Sequence, residues 1–309
     1  MEVLLQQIIN GLVLGSMYAL IALGYTMVYG IIQLINFAHG EVLMVGALTA
    51  WSAIGLMQAG MPGAPGWLIL ILAMVIACVV AAALNFVIEK VAYRPLRNSP
   101  RLAPLITAIG MSILLQTLAM IIWKPNYKPF PTLLPSAPFN VGGAVITPTQ
   151  IMILSVTAVS LAVLMYLVHY TRIGRAMRAT AENPRVAGLM GVKPDVVISA
   201  TFIIGAILAA IAGVMYASNY GTAQHTMGFL PGLKAFTAAV FGGIGNLGGA
   251  VLGGILLGLI EAIGSGYIGS LTGGLLGSHY TDIFAFIVLI VILTLRPSGL
   301  LGERVADRA

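Results

Sequence analysis

The sequence predicts an all-α integral membrane protein: a polytopic helical bundle of about 8–9 transmembrane segments, with broken or re-entrant helices among them. Three observations carry that prediction. Hydrophobic residues make up 59% of the 309-residue chain and charged residues only 8%, against about 25% charged in a soluble domain. A soluble chain of this length needs a polar surface, and the residues to build one are missing, so lipid must be the main solvent. Apolar runs of the ~20 residues that cross a bilayer recur from end to end. The few charges fall between those runs, and Lys and Arg gather on alternate loops.

Taken in order, the spans are expected near 8–29, 41–58, 67–88, 104–123, 148–170 and 196–219. A Gly-rich pair follows near 233–244 and 247–268, then a last span near 280–296. The first member of the pair is short, which makes it a candidate re-entrant segment. Residues 1–309 read as one transmembrane domain. The opening MEVLLQQIINGLVLG has no basic n-region, so it reads as the start of the first span rather than as a signal peptide.

Orientation follows from Lys and Arg. One face holds Lys90, Arg94, Arg97, Arg101, Arg172, Arg175, Arg178, Arg185, Lys193, Arg296, Arg304 and Arg308; the other holds Lys124, Lys128 and Lys234. Twelve against three puts the first set and the C-terminus in the cytoplasm. The N-terminus is then outside, whether the Gly-rich pair crosses fully or re-enters.

The net charge of +6 does not point to nucleic acid, because the basic residues sit only between apolar runs. One Cys and four scattered His build neither a disulfide framework nor a metal site. No P-loop, H-E-x-x-H or G-x-S-x-G is present. The chain is therefore read as a non-enzyme with no cofactor of its own, and if it does work against a gradient, something else must supply the energy.

Four stretches stand out. The outer loop 124–147 contains KPNYKPFPTLLPSAPFN, whose prolines favour an ordered extended segment over a helix. It is either a connector or a landing surface for an extracytoplasmic partner. In FGGIGNLGGAVLGGILLG (241–258), Gly245, Gly249 and Gly253 recur at spacing four, joined by Gly254 and Gly258. Small residues at that spacing let helices approach closely in lipid. INFAHGE (35–41) brings Asn36, His39 and Glu41 into an apolar region. Two readings stay open there. One is a broken helix whose polar groups satisfy freed backbone or face a cavity. The other is a turn on the cytoplasmic side with its polar groups among lipid headgroups. Glu261, some 14 residues into its span, is either a structural hydrogen-bond acceptor or a path-lining group. Asp282 and His279 are expected at the membrane interface.

Seven of the 24 charged residues fall within 171–197. Asn183 is an N-cap, Pro184 suits N1, Gly191 suits C′ and Pro194 prevents continuation. That predicts a two-turn helix over 184–190 with Val186, Leu189 and Met190 on one face. So short a helix is unstable alone in water. It packs on its own domain, or lies in the headgroups with its arginines on lipid phosphates, or inserts into a cytoplasmic ATPase.

The segment ATAENPRVAGLMGV (179–192) resembles the coupling loop of ABC importer permeases, with Ala181-Glu182-Asn183 in place of Glu-Ala-Ala and Gly191 nine residues after Glu182. LGSMYALIALGYTMVYGIIQLINFAHGE (14–41), FTAAVFGGIGNLGGAVLGG (236–254), GLIEAI (258–263) and RPSGLLG (296–302) resemble, in order and spacing, the LivH-type permease of branched-chain amino acid ABC importers. The resemblance implies inverted helical halves and a bacterial inner-membrane location. It also implies a second LivM-like permease, two cytoplasmic ATPases that consume ATP, and an extracytoplasmic substrate-binding protein. It makes 171–195 a coupling loop, with Ala181, Glu182, Asn183, Pro184, Val186, Leu189, Met190 and Gly191 as the ATPase contact. Asn36, His39, Glu41 and Glu261 are the translocation-path candidates. Leucine, isoleucine and valine come from the family; urea or amides are carried by related permeases. A self-sufficient transporter or channel, or a scaffold without a path, are the rival classes.

Overall fold

In a row of apolar residues, backbone amides have no water to bond, so the chain satisfies them by winding into helices. The computed structural model describes residues 2–97, 99–100, 102–135, 137–273, 280–296 and 299–302. Arg101, His279, Arg304, Arg308 and positions 297–298 of the last motif lie outside the described residues. The helices are α1 (Glu2–Ile32), α2 (His39–Gly60), α3 (Gly66–Ile88), α4 (Leu102–Trp123), α5 (Pro148–Tyr170), α6 (Arg172–Glu182), α7 (Pro184–Leu189), α8 (Pro194–Tyr220), α9 (Phe229–Gly242), α10 (Leu247–Leu271) and α11 (Thr281–Leu295). Among the described residues seven are long and apolar enough to cross a membrane: α1–α5, α8 and α10. The short member of the Gly-rich pair is α9, 14 residues long, and the last span is α11, 15 residues long.

α1 lies at the centre. Every residue from Gly15 to Val28 is buried, as expected of a helix that is apolar all round. It packs against α10 through the predicted glycines. A Cβ on Gly258 would lie 2.2 Å from the Gly15 amide nitrogen, and one on Gly254 would lie 2.5 Å from that of Ala19. The stripe at spacing four serves a different neighbour. Gly249 and Gly253 abut Gly242 and Ala238 of α9, and Gly245 turns the chain between the two helices at φ +96°. Helices α3, α4 and α5 are peripheral and present Val, Ile and Leu outward.

One end of the bundle is extended chain. The proline-rich loop forms β1 (Lys128–Pro129), β2 (Phe139–Val141) and β3 (Ala144–Ile146); β2 and β3 pair as a hairpin, and β1 pairs with β4 (Thr222–Ala223). The loop is tied down, with Trp51 Nε1 donating to the Pro129 carbonyl at 3.0 Å. A capping box between Thr147 and Gln150 then starts α5. The opposite, basic end carries a π-turn (Glu89–Tyr93), a single 3-10 turn (Arg94–Leu96), α6 and α7.

Two expectations are corrected. Lys234, counted with the outer-face charges at the edge of the span near 233–244, is interior to its helix: α9 begins at Phe229, earlier than expected, and buries Lys234 at 8% exposure. Residues 172–182, read as loop, form α6. Its Gly174, Met177 and Thr180 are buried while Arg172, Arg175 and Arg178 face outward.

Candidate functional site

The helical ladder of α1 stops at Ile32, where Gln33 takes φ +52°. The chain then turns back into the protein. His39, which opens α2, lies so close to Gly24 that a Cβ there would be 2.3 Å from His39 Nε2. Gly24 is eight residues before the end of α1, so α2 begins about 12 Å back along it. Of the two readings of INFAHGE, the broken helix with buried polar groups is the observed one. Asn36, His39 and Glu41 are 2%, 1% and 1% exposed.

Buried polar groups ordinarily find partners; here some do, while Asn36 Nδ2, both His39 ring nitrogens and Glu41 Oε2 have none among the described residues. Asn36 Oδ1 accepts from the Ala38 amide at 3.1 Å and from the Tyr93 hydroxyl at 2.8 Å. The His39 ring packs edge-on to Tyr25, with centroids 4.7 Å apart. Glu41 Oε1 accepts from Ser112 Oγ at 3.1 Å and from Gln116 Nε2 at 2.7 Å, both on α4. Ser112, Gln116, Tyr25, Phe37 and Gly40 line a cavity of about 640 Å³ that continues along 222–233. That volume suits a small molecule. The break thus supplies the cavity wall or stands directly behind it.

Glu261 belongs elsewhere. Its carboxyl accepts from Tyr18 Oη at 2.9 Å and from Lys234 Nζ at 2.7 Å, and Lys234 also reaches Asp282 at 2.7 Å. Asp282 is therefore an ion-pair partner rather than only an interfacial group. Glu261 and Asp282 face a second cavity of about 350 Å³. Tyr220 lines both cavities.

At the basic end, Asn183 caps α7, accepting from the Arg185 and Val186 amides at 3.1 Å each. Gly191 takes φ +87°, as its C′ role requires. The helix closes at Leu189, one residue short of the predicted end, and Met190 is its C-cap. Ala187 is the buried residue of α7. Val186, Leu189 and Met190 are 52%, 88% and 80% exposed, so the apolar face does not pack on its own domain. Glu182, Asn183, Pro184 and Gly191 are exposed and Ala181 is half-buried.

Sequence reasoning missed a cluster that joins these regions. Glu89 is fully buried in the π-turn. It accepts from Ser199 Oγ at 2.8 Å, pairs with Arg94 at 3.3 Å, and pairs with Arg97. Arg97 also pairs with Asp195 at the start of α8. The same π-turn holds Tyr93, the donor to Asn36. A cavity of about 430 Å³ lies among Gln33, Arg97, Pro184 and Asp195. The signal was present in EKVAYRPLR (89–97), an acid with two arginines just beyond it.

Residues 7–293 match a family described as branched-chain amino acid transport system / permease component. The chain is 47% identical over 304 residues to the high-affinity branched-chain amino acid transport system permease protein BraD of Pseudomonas aeruginosa, covering 97% of this chain and 96% of the relative. It is 46% identical over 305 residues to the permease protein LivH of the same kind of system in Escherichia coli K12, with the same coverage. A probable LivH of Methanocaldococcus jannaschii is 27% identical, covering 95% of this chain and 91% of that one.

Proposed function

The chain belongs to the branched-chain amino acid transport permease family, and from that premise we propose that it is the membrane-spanning subunit of an ATP-driven importer for leucine, isoleucine and valine. It forms half of the translocation path with a second, LivM-like permease. One of two cytoplasmic ATPases docks on α7 and the other on the second permease, and an extracytoplasmic binding protein delivers the solute. The chain lies in the bacterial inner membrane with the basic end and the C-terminus in the cytoplasm. It holds no cofactor; ATP is used by the partner subunits. Membrane lipids cover the outward faces of α3, α4 and α5.

The observation that carries this reading is the exposed apolar face of α7. Leu189 and Met190 are 88% and 80% exposed, on a helix of six residues that needs packing to persist. Each contributes about 1.5–3 kcal/mol when buried in a partner. In the mechanism that follows, closure of the ATPase pair pulls α7. The foot of α7 shares a cavity with the start of the break, through Pro184 and Gln33. The permease halves rock, and the path opens alternately outward and inward.

Affinity purification from the native membrane tests the assignment. Two different P-loop ATPases and a second permease should accompany the chain. Recovery of the chain alone, or as a homo-oligomer, after gentle extraction would move the assignment to a self-sufficient carrier.

A further inference from the structure

We infer that the cavity reads the ammonium end of a zwitterionic solute through Ser112 and Gln116, with Glu41 as the positioning residue behind them. This rests on the importer reading and adds to it the wall that recognises the solute.

The inference follows from which atoms are already committed. Gln116 lines the cavity and donates Nε2 to Glu41 Oε1 at 2.7 Å. That bond fixes which way round the amide sits, leaving its carbonyl oxygen as the acceptor end. Ser112 also lines the cavity, and it donates its single hydroxyl proton to the same Glu41 oxygen at 3.1 Å. It then has only lone pairs to offer a solute. The buried carboxyl thus takes the Ser112 proton and one of the two Gln116 Nε2 protons, so this part of the wall keeps more acceptors than donors. An accepting wall favours a donor. An ammonium group brings three donors and no acceptor, whereas a carboxylate would set acceptor against acceptor. Glu41 Oε2, buried directly behind the wall, has no hydrogen-bond partner among the described residues, so this acceptor-rich corner favours a positive group over a negative one.

The rest of the wall is mixed: Tyr216, Tyr220, Thr222, Gln224 and Thr226 bring hydroxyls and an amide that can meet the carboxylate end, and apolar residues suit the tail. Ile109, Ser112, Ile113 and Gln116 all line the cavity, and their i, i+3, i+4, i+7 spacing puts them on one face of α4. Phe37 and Met227 add apolar surface on other sides. The site therefore offers acceptors for a charged head beside apolar surface for an aliphatic tail. Urea and neutral amides have no ammonium charge to gain from it.

Saturation-transfer NMR on the purified permease–ATPase complex in nanodiscs, without the binding protein, tests this with three probes. These are leucine, leucinamide (ammonium kept, carboxylate masked) and 4-methylpentanoate (carboxylate kept, ammonium absent). Leucine and leucinamide should bind about tenfold or more tighter than 4-methylpentanoate, as loss of a charge-assisted bond implies. Glu41→Gln and Gln116→Leu should each erase most of that preference. Ser112→Ala, a smaller deletion, gives the same readout if either variant fails to fold. Equal binding of leucine and 4-methylpentanoate, binding of none of the probes, or a preference unchanged in the folded variants would overturn the inference. Failure of the importer reading is visible separately, as absence of the ATPases from the purified complex.

Discussion

Two interruptions of the bundle break the usual rule of burial in opposite ways. Between α1 and α2 the chain buries what is normally exposed: Asn36, His39 and Glu41, each 2% exposed or less. Between α6 and α8 it exposes what is normally buried: Val186, Leu189 and Met190, each more than half exposed. The first is an interior constellation held in part by partners on α4 and the π-turn, with Asn36 Nδ2, both His39 ring nitrogens and Glu41 Oε2 without a hydrogen bond among the described residues. The second is an incomplete surface that needs a partner from outside the chain. Composition alone makes both look like loops; the side chains' surroundings separate them.

The largest effect is expected where the surface is incomplete. Leu189→Asp should leave folded yield and elution profile unchanged, because a residue 88% exposed costs the isolated chain no more than about 0.5 kcal/mol. It should weaken ATPase association about a hundredfold, since placing a charge in a buried apolar contact forfeits ~3 kcal/mol. Co-purification and uptake are the readouts. Retention of both at the parental level would remove α7 as the docking element.

Glu89→Ala comes next, and it tests the link between the two interruptions. Breaking a buried ion pair costs about 3–5 kcal/mol because the remaining charges lose their partner. Here Arg97 keeps Asp195, while Arg94 is about one-third exposed, so the lower part of that range is expected. Thermal melting in detergent should show the loss. An unchanged melt would mean that the π-turn does not depend on its carboxylate.

How much of this could be read in advance depended on sequence distance. The spans were legible because each is a local run, and the cap at Asn183 because its partners are two and three residues away. The broken helix was half-legible: Asn36, His39 and Glu41 announced themselves, but headgroups and interior fit the same letters. The hydrogen bonds that decide it reach 71 and 75 residues, from Glu41 to Ser112 and Gln116. Lys234 was misread for the same reason, since its partners are 27 and 48 residues on. Without them a lysine at the edge of a short span looks like a charge at the outer face. Helix α6 was missed because RIGRAMRATAE shows arginines before it shows its buried stripe of Gly174, Met177 and Thr180.

Glu261→Gln should have a smaller effect than Glu89→Ala. Lys234 retains Asp282 at 2.7 Å, and the new amide oxygen can still accept from it. The expected loss is about 1–2 kcal/mol, the difference between a charged and a neutral hydrogen bond. Uptake by folded protein should stay near parental, because Glu261 faces a different cavity from Ser112 and Gln116. A sharp fall in uptake with an unchanged melt would instead put Glu261 on the path.

The smallest effect is expected at Asn183, and it bears most directly on the comparison. Its side chain satisfies two amides that would otherwise face water at the start of α7. Asn183→Ala should cost about 1 kcal/mol of local helix stability. Almost none of that should appear in a global melt, because α7 is anchored to the bundle through Ala187 alone among its buried residues. It should appear in hydrogen exchange, as faster exchange at Arg185 and Val186, and in ATPase affinity, as a loss of about fivefold. Asn183→Asp, which restores an acceptor oxygen, should recover both. If the alanine variant instead lowers the global melt while ATPase affinity is unchanged, α7 is part of the permease's own fold, and the contrast between a buried interruption and an exposed one disappears.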